Sequence, residues 1–345
     1  MDYLSVIRAT LNTPVKDRTK ASFQTIESEL VSGLTQYWEI AGRILQGSGV
    51  GLLPPHPDYF TPSRNFFSLL FLYSYHRAAL PAHRRVLYAA VNQCLRGMVT
   101  GCDNILDDEY KKTLSTDLPE KATRMRSVLD IMVSDRVLYE LLMDACRENK
   151  LTLNQAATAG AASLRALTQS GAEEAGEEGG IDTRLSPESI LTKIHHYKTA
   201  LLFQCVWAIP ESIEPLAPAI VSPLKQALYE IGMGCQILDD MVDLSSDILN
   251  RRHNYVASLI FHAATKTERS APETEFFRIS DLKKEMNLIM LFPEAKDTAS
   301  KTATGFLEKG LNALFAFEHK ALIQPAIRFI AQQIGAGGFL SCTTE

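Results

Sequence analysis

The chain has no long hydrophobic run, no paired-cysteine motif, no strand pattern and no excess of positive charge. Its longest apolar runs, such as Phe66–Tyr75, are too short and too interrupted to span a bilayer. Met1 to Lys20 scatters charges and has no apolar stretch of the kind a secretion signal needs. The six cysteines form no C-x-x-C pair, and none stands near a histidine at zinc-ligand spacing. They read as reduced, mostly buried thiols of a reducing compartment. With 35 Lys+Arg against 40 Asp+Glu the formal net charge is −5, which argues against a nucleic-acid partner. The glycines of Gly47–Gly51 are followed by no lysine at phosphate-loop spacing, so they mark a bend. Alternating β-branched runs are missing, as are hairpin turns between such runs. These absences predict a cytoplasmic protein without a membrane span.

What is present is helical periodicity. Apolar residues recur three or four apart through Arg84–Lys112, Thr123–Asn149, Leu153–Gln169, Pro187–Trp207, Pro223–Asn250 and Thr302–Ile334. Pro187 and Pro223 sit where a first turn would begin, after Ser186 and Ser222 as candidate N-caps. Residues 1–345 therefore read as one all-α domain of roughly ten or more helices. Gly171–Asp182 differs: it is rich in glycine and glutamate, its only large apolar residue is Ile181, and it reads as a mobile acidic loop.

Two acidic clusters carry the chemistry. In Gly232–Asp243, Asp239 and Asp243 are four apart, so a helix presents both on one face, and Asp240 lies about 100° round from Asp239. Three acids in five residues usually mark a solvated face. Here Ile237, Leu238, Met241, Val242 and Leu244 surround them, and carboxylates buried in such a setting need a cation. Oxygen donors with no His or Cys beside them suit Mg²⁺, which prefers few protein ligands and substrate phosphates. Upstream, Asp103 and Asp107 repeat the four-residue spacing and Asp108 follows, again at the end of an apolar helix. Two such rims facing each other across a bundle would hold metal ions and a polyanion above an apolar cavity, which a diphosphate on a hydrocarbon tail would fill.

Gly232, Gln236, Asp239, Asp240 and Asp243 together resemble the second aspartate-rich motif, G-x-x-x-Q-x-x-D-D-x-x-D, of the trans-isoprenyl diphosphate synthases. Tyr197 to Phe203 is similar to their Lys-Thr motif, and Asp103 to Asp108 sits where their first aspartate-rich motif belongs. The resemblance runs from about Arg84 to Leu259. It implies the all-α class I terpenoid synthase fold, a prenyl diphosphate substrate and a cluster of carboxylates that coordinates three Mg²⁺ ions, with Mn²⁺ as a substitute. It also implies site residues: Asp107, Asp108, Asp239, Asp240 and Lys198 for catalysis; Lys198, Thr199, Gln236, Arg251 and Arg252 for the diphosphate; and Asp103, Asp107, Asp108, Asp239 and Asp243 for metal. A lysine such as Lys198, taken alone, is an ordinary surface residue, and Arg251 and Arg252 alone are an ordinary basic helix end. A homodimer is one option for assembly.

Two motifs of the chain-elongating members are missing. No G-G-K-R-x-R-P appears near the N-terminus; Ser63-Arg64-Asn65 and His83-Arg84-Arg85 are poor substitutes. After the first acidic cluster comes Glu109-Tyr110-Lys111-Lys112-Thr113, where the family has R-R-G. The expectation is thus a terpene synthase or cyclase that consumes an allylic diphosphate alone. The alternatives are a prenyltransferase, elongating or head-to-head, and a non-catalytic helical subunit.

Overall fold

The computed structural model describes residues 3–11, 22–107, 110–262 and 288–340. In chain order its main helices are α1 (Tyr3–Leu11), α2 (Phe23–Leu45), α3 (Phe66–Arg77), α4 (Ala82–Leu106), α5 (Thr123–Arg147) and α6 (Leu153–Glu177). A π-helix, Ile190–Ala200, comes next, then α7 (Pro218–Val242), α8 (Leu244–Leu249), α9 (Tyr255–Phe261), α10 (Pro293–Leu314) and α11 (Ile323–Ile334). No strand occurs among the described residues, only an isolated antiparallel bridge between Leu52 and Thr116. The all-α expectation holds. Cys94, Cys102, Cys146, Cys205 and Cys235 are free thiols. No helix among the described residues is long and apolar enough to cross a membrane.

The chain divides into two compact units. The first comprises Leu11–Leu167 and Cys205–Val221. Its core is built on α2, α4 and α5. Ser22 caps α2 by accepting from Thr25 N (3.1 Å). The buried residues Ile26, Leu30, Leu34, Tyr37, Ala41 and Leu45 then recur at helical spacing along one stripe. Glu29, buried in the same stripe, is compensated by Arg85 Nε (2.9 Å) and by His76 Nε2 (2.9 Å). Gly33 lets α2 and α4 touch. A Cβ there would lie 2.5 Å from Ala89 Cβ and 2.8 Å from Ala90 N, and the backbone nitrogen cannot step aside. Gly33→Val should therefore lower unfolding free energy by about 2 kcal/mol, read as a smaller urea midpoint; an unchanged midpoint would contradict this packing.

The second unit comprises Met1–Thr10, Thr168–Gln204 and Ser222–Glu345. Its α7 and α10 meet through small residues: a Cβ on Gly310 would lie 2.7 Å from Ala227 O, and one on Gly234 would lie 2.9 Å from Ala303 O. Ile231, Leu238, Leu307, Leu311 and Ile330 are fully buried around them.

Several boundaries differ from the periodicity. The Leu153–Gln169 segment continues as α6 to Glu177, so most of the expected acidic loop is helical. Two of its glutamates, Glu174 and Glu177, have partners described below, which composition alone could not reveal. Pro187–Trp207 is not one α-helix, because Ile190–Ala200 widens to π geometry; the Leu201 N–H reaches back five residues to His196 O. Pro223 lies inside α7, which starts at Pro218. Asp243 separates α7 from α8, and a 3₁₀ turn, Phe317–Leu322, separates α10 from α11.

Candidate active site

The second acidic motif closes α7. Asp239 and Asp243 are exposed on one side of the helix end, while Asp240, one residue round, is buried. The helix thus has a narrow polar rim beside an apolar body. Asp240 is fully engaged. Its Oδ2 accepts from Tyr255 N (2.5 Å) and pairs with His195 Nε2 (2.9 Å), and its Oδ1 accepts from Gln236 Nε2 (3.0 Å). Asn254 caps α9 through Ala257 N (2.9 Å) and donates to Asp240 O and to Asp247 Oδ2, each at 2.8 Å. Asp240, expected among the catalytic carboxylates, therefore ties α7 to the π-helix and to the start of α9. Burial and the neighbouring Asp240 charge push the Asp247 carboxyl well above its ordinary range.

The π-helix supplies Lys198 and Thr199. Gly232, the first residue of the motif, admits it: a Cβ there would lie 3.1 Å from Ala200 Cα and from Thr199 O. Thr199 Oγ1 donates to Gln236 Oε1, so Gln236 links the Lys-Thr motif to Asp240 and, at 3.4 Å, to Asp239 Oδ2. Lys198 pairs with Glu174 Oε1 at 3.2 Å. Burial alone would lower the Lys198 pKa, but the carboxylates of Glu174, Glu177 and Asp247 outweigh it and hold the ammonium charged. Arg251 adopts a left-handed backbone conformation (φ 55°) and contacts Asp182. Arg252 donates its backbone N–H to Asp247 O (2.8 Å). The structure thus links Thr199, Gln236, Asp239 and Asp240 through direct hydrogen bonds, with Lys198 next to Thr199 on the π-helix and paired with Glu174.

The first acidic motif ends α4 in the other unit. Asp107 caps the helix, its N–H donating to Asp103 O (2.8 Å), and its side chain is exposed. Asp108 lies outside the described residues. Asn104 is buried: its amide exchanges two hydrogen bonds with the Lys111 backbone, at 2.7 and 3.1 Å. It thereby pins the basic turn Lys111–Lys112 beside the acidic helix end. Thr113 ties the same turn to α5 by donating to Asp130 Oδ2 (2.7 Å), and burial raises the Asp130 pKa to about 6.

A cation cluster lies in the same unit. Arg64 Nη2 donates to Lys112 O (3.1 Å). Arg96 Nη1 donates to Asn65 Oδ1 (2.9 Å), and the buried Asn65 amide also closes its own turn through Tyr59 O (2.8 Å) and Thr61 O (2.9 Å). Burial lowers the Arg96 pKa, and the Arg64 charge lowers it further. Among the described residues no carboxylate comes within ion-pair distance of Arg64 or Arg96. The buried Tyr59 hydroxyl beside them has no hydrogen-bond partner there. Arg84 and Arg85, by contrast, are committed to Glu214 (3.1 Å) and Glu29. Arg96 escaped the sequence reading, although a signal existed: it stands 103 − 96 = 7 residues before Asp103, two turns up one helix face.

No protein-family model matches the chain, and no curated protein does. Solved structures do match. Geranylgeranyl pyrophosphate synthetase from Pyrococcus horikoshii is similar over 96% of this chain and 98% of its own, with 15% identity and a TM-score of 0.60. The fold is the all-α prenyl synthase fold. Heptaprenyl diphosphate synthase from Staphylococcus aureus shares it over 87% of this chain and 98% of its own (16% identity, TM-score 0.58). So does geranylgeranyl pyrophosphate synthase from Corynebacterium glutamicum, a structure complexed with isoprenyl diphosphate and magnesium, over 88% and 98% (16% identity, TM-score 0.57). On this prenyl synthase fold the two acidic motifs end α4 and α7, and the Lys-Thr motif sits on the π-helix.

Proposed function

We propose that the chain is a divalent-metal-dependent prenyl diphosphate synthase, joining an allylic prenyl diphosphate to isopentenyl diphosphate. The observation that carries this reading is the Arg64–Arg96 pair, set beside the Lys112 turn through the Lys112 carbonyl. The Arg96 guanidinium is partly removed from water beside the exposed Arg64, and with no carboxylate at ion-pair distance among the described residues it is unfavourable unless an anion joins it. A cyclase handles one diphosphate and has no use for a second cationic site. The expectation of a cyclase rested on missing contiguous motifs, whereas this cluster draws on three separate stretches of chain. The prenyl synthase fold supports the same choice.

In this reading Lys198, Arg251 and Arg252 hold the allylic diphosphate, and Thr199 and Gln236 orient it. Arg64, Arg96 and Lys112 hold isopentenyl diphosphate. Asp103, Asp107, Asp239 and Asp243, with Asp108, are the metal ligands. Among the described residues no three acidic, His or Cys side chains converge into a ready-made cage. Carboxylate pairs four residues apart at solvent-accessible helix ends still fit Mg²⁺, which takes few protein ligands and fills its shell with water and phosphate. Bound Mg²⁺ would neutralise charge on the departing diphosphate. Lys198 contributes to the same stabilisation as a fixed cation in a partly dry site. Asp240 is a positioning residue, holding Gln236 and the π-helix in place. The test is incorporation of labelled isopentenyl diphosphate into a longer prenyl diphosphate.

A further inference from the structure

Lys198 and Arg251, both assigned to the allylic diphosphate, are already engaged, and by one short stretch of chain. Glu174 meets Lys198 Nζ at 3.2 Å, with the two side chains only 19% and 20% exposed. Asp182 Oδ1 meets Arg251 Nη2 at 3.2 Å, and Ile181 O accepts from the same nitrogen at 2.7 Å. Between these points Glu177 Oε2 accepts from His253 N (3.3 Å), while its buried Oε1 has no hydrogen-bond partner among the described residues. Ser170 Oγ donates to Lys198 O (2.8 Å), and Ile181 N donates to Arg251 O (2.7 Å). Residues 170–182 thus run as a strap along the backbone that carries Lys198, Arg251 and His253.

The strap is held by ion pairs and hydrogen bonds more than by burial: apart from Ser170 and Glu177 its residues are half-buried or exposed. A Cβ on Gly171, Gly176 or Gly179 would meet nothing within 4 Å. Glycine inside a helix is less favourable than alanine, so the end of α6 is intrinsically weak. Its carboxylates nevertheless hold the two cations that a diphosphate would need. A diphosphate brings more charge and more acceptor oxygens to an ammonium or guanidinium than a carboxylate does.

We propose that the strap is an internal competitor: Glu174 and Asp182 occupy Lys198 and Arg251 until a diphosphate displaces them. This rests on the reading of Lys198 and Arg251 as diphosphate-binding groups. The strap then sets the affinity for the diphosphate and is released by it, the opposite of a lid that closes over bound substrate.

Calorimetric titration of the full chain with inorganic diphosphate in Mg²⁺ tests the proposal. The Glu174→Gln/Asp182→Asn double variant should bind roughly fivefold more tightly than wild type, and Lys198→Ala more weakly. Hydrogen exchange on wild type gives a second measurement that needs no variant: amides of residues 171–182 should lose protection when diphosphate is added. A double variant that binds no more tightly, with Lys198→Ala still impaired, overturns the strap alone. Increased protection of residues 171–182 on binding also overturns it. Lys198→Ala binding as well as wild type overturns both the strap and the diphosphate role of Lys198.

Discussion

Arg96→Met should keep its fold and lose its grip on isopentenyl diphosphate. The substitution removes a guanidinium that burial disfavours and that no carboxylate among the described residues pairs with. Its structural cost is one hydrogen bond, to Asn65 Oδ1, and the unfolding free energy should fall by no more than about 1 kcal/mol. If the cluster binds the second diphosphate, the KM for isopentenyl diphosphate should rise roughly tenfold or more, while the KM for the allylic substrate stays within about twofold. Steady-state kinetics with each substrate varied in turn separates the two. Equal changes in both KM values would mean that Arg96 supports the site generally. A large loss of stability with unchanged KM would mean that Arg96 is only structural.

Asp239→Ala should abolish turnover without unfolding the chain. Asp239 is exposed at the end of α7, so its removal leaves the helix and the buried Asp240 network in place. As a metal ligand it should cost at least about a hundredfold in kcat, and the loss should be partly relieved by raising Mg²⁺. Asp240→Ala should look different. It strips the acceptor from His195, Gln236 and Tyr255 N, leaving buried donors unpaired, and should lower stability by about 3 kcal/mol as well as activity. Circular dichroism melting beside the kinetics distinguishes them. An Asp239→Ala variant with wild-type turnover would remove α7 from the site.

The all-α class and the second motif were legible because both lie in contiguous sequence. Gly232, Gln236 and Asp239 share one helix and Asp243 follows its last residue, bonded back to Asp239 O, so spacing alone fixes their mutual placement. Asp240 shows the limit of that logic. Its neighbour Asp239 has the same chemistry, but 100° of helix rotation puts one in solvent and the other among His195, Gln236 and Tyr255. The π-helix was not legible, because a widened turn leaves no periodic signature in eleven residues. Gly171–Asp182 was read as a loop from its composition. Glycine and glutamate disfavour burial, but pairing with Lys198 and Arg251 is tertiary information. The cation cluster was invisible for a related reason. Asn65, in no conspicuous motif, and Asn104, overlooked between the aspartates of the first cluster, bring Arg64, Arg96 and the Lys111–Lys112 turn into one neighbourhood from three parts of the chain.

The measurement that tests the central claim most directly is product analysis with labelled isopentenyl diphosphate. Purified protein, Mg²⁺ and allylic diphosphates of ten to twenty carbons would be incubated with and without the label. The account predicts a labelled prenyl diphosphate at least five carbons longer than the allylic substrate, no product in excess chelator, and little consumption of the allylic diphosphate alone. Steady release of an unlabelled hydrocarbon or alcohol from the allylic diphosphate alone, with no label incorporated, would contradict it.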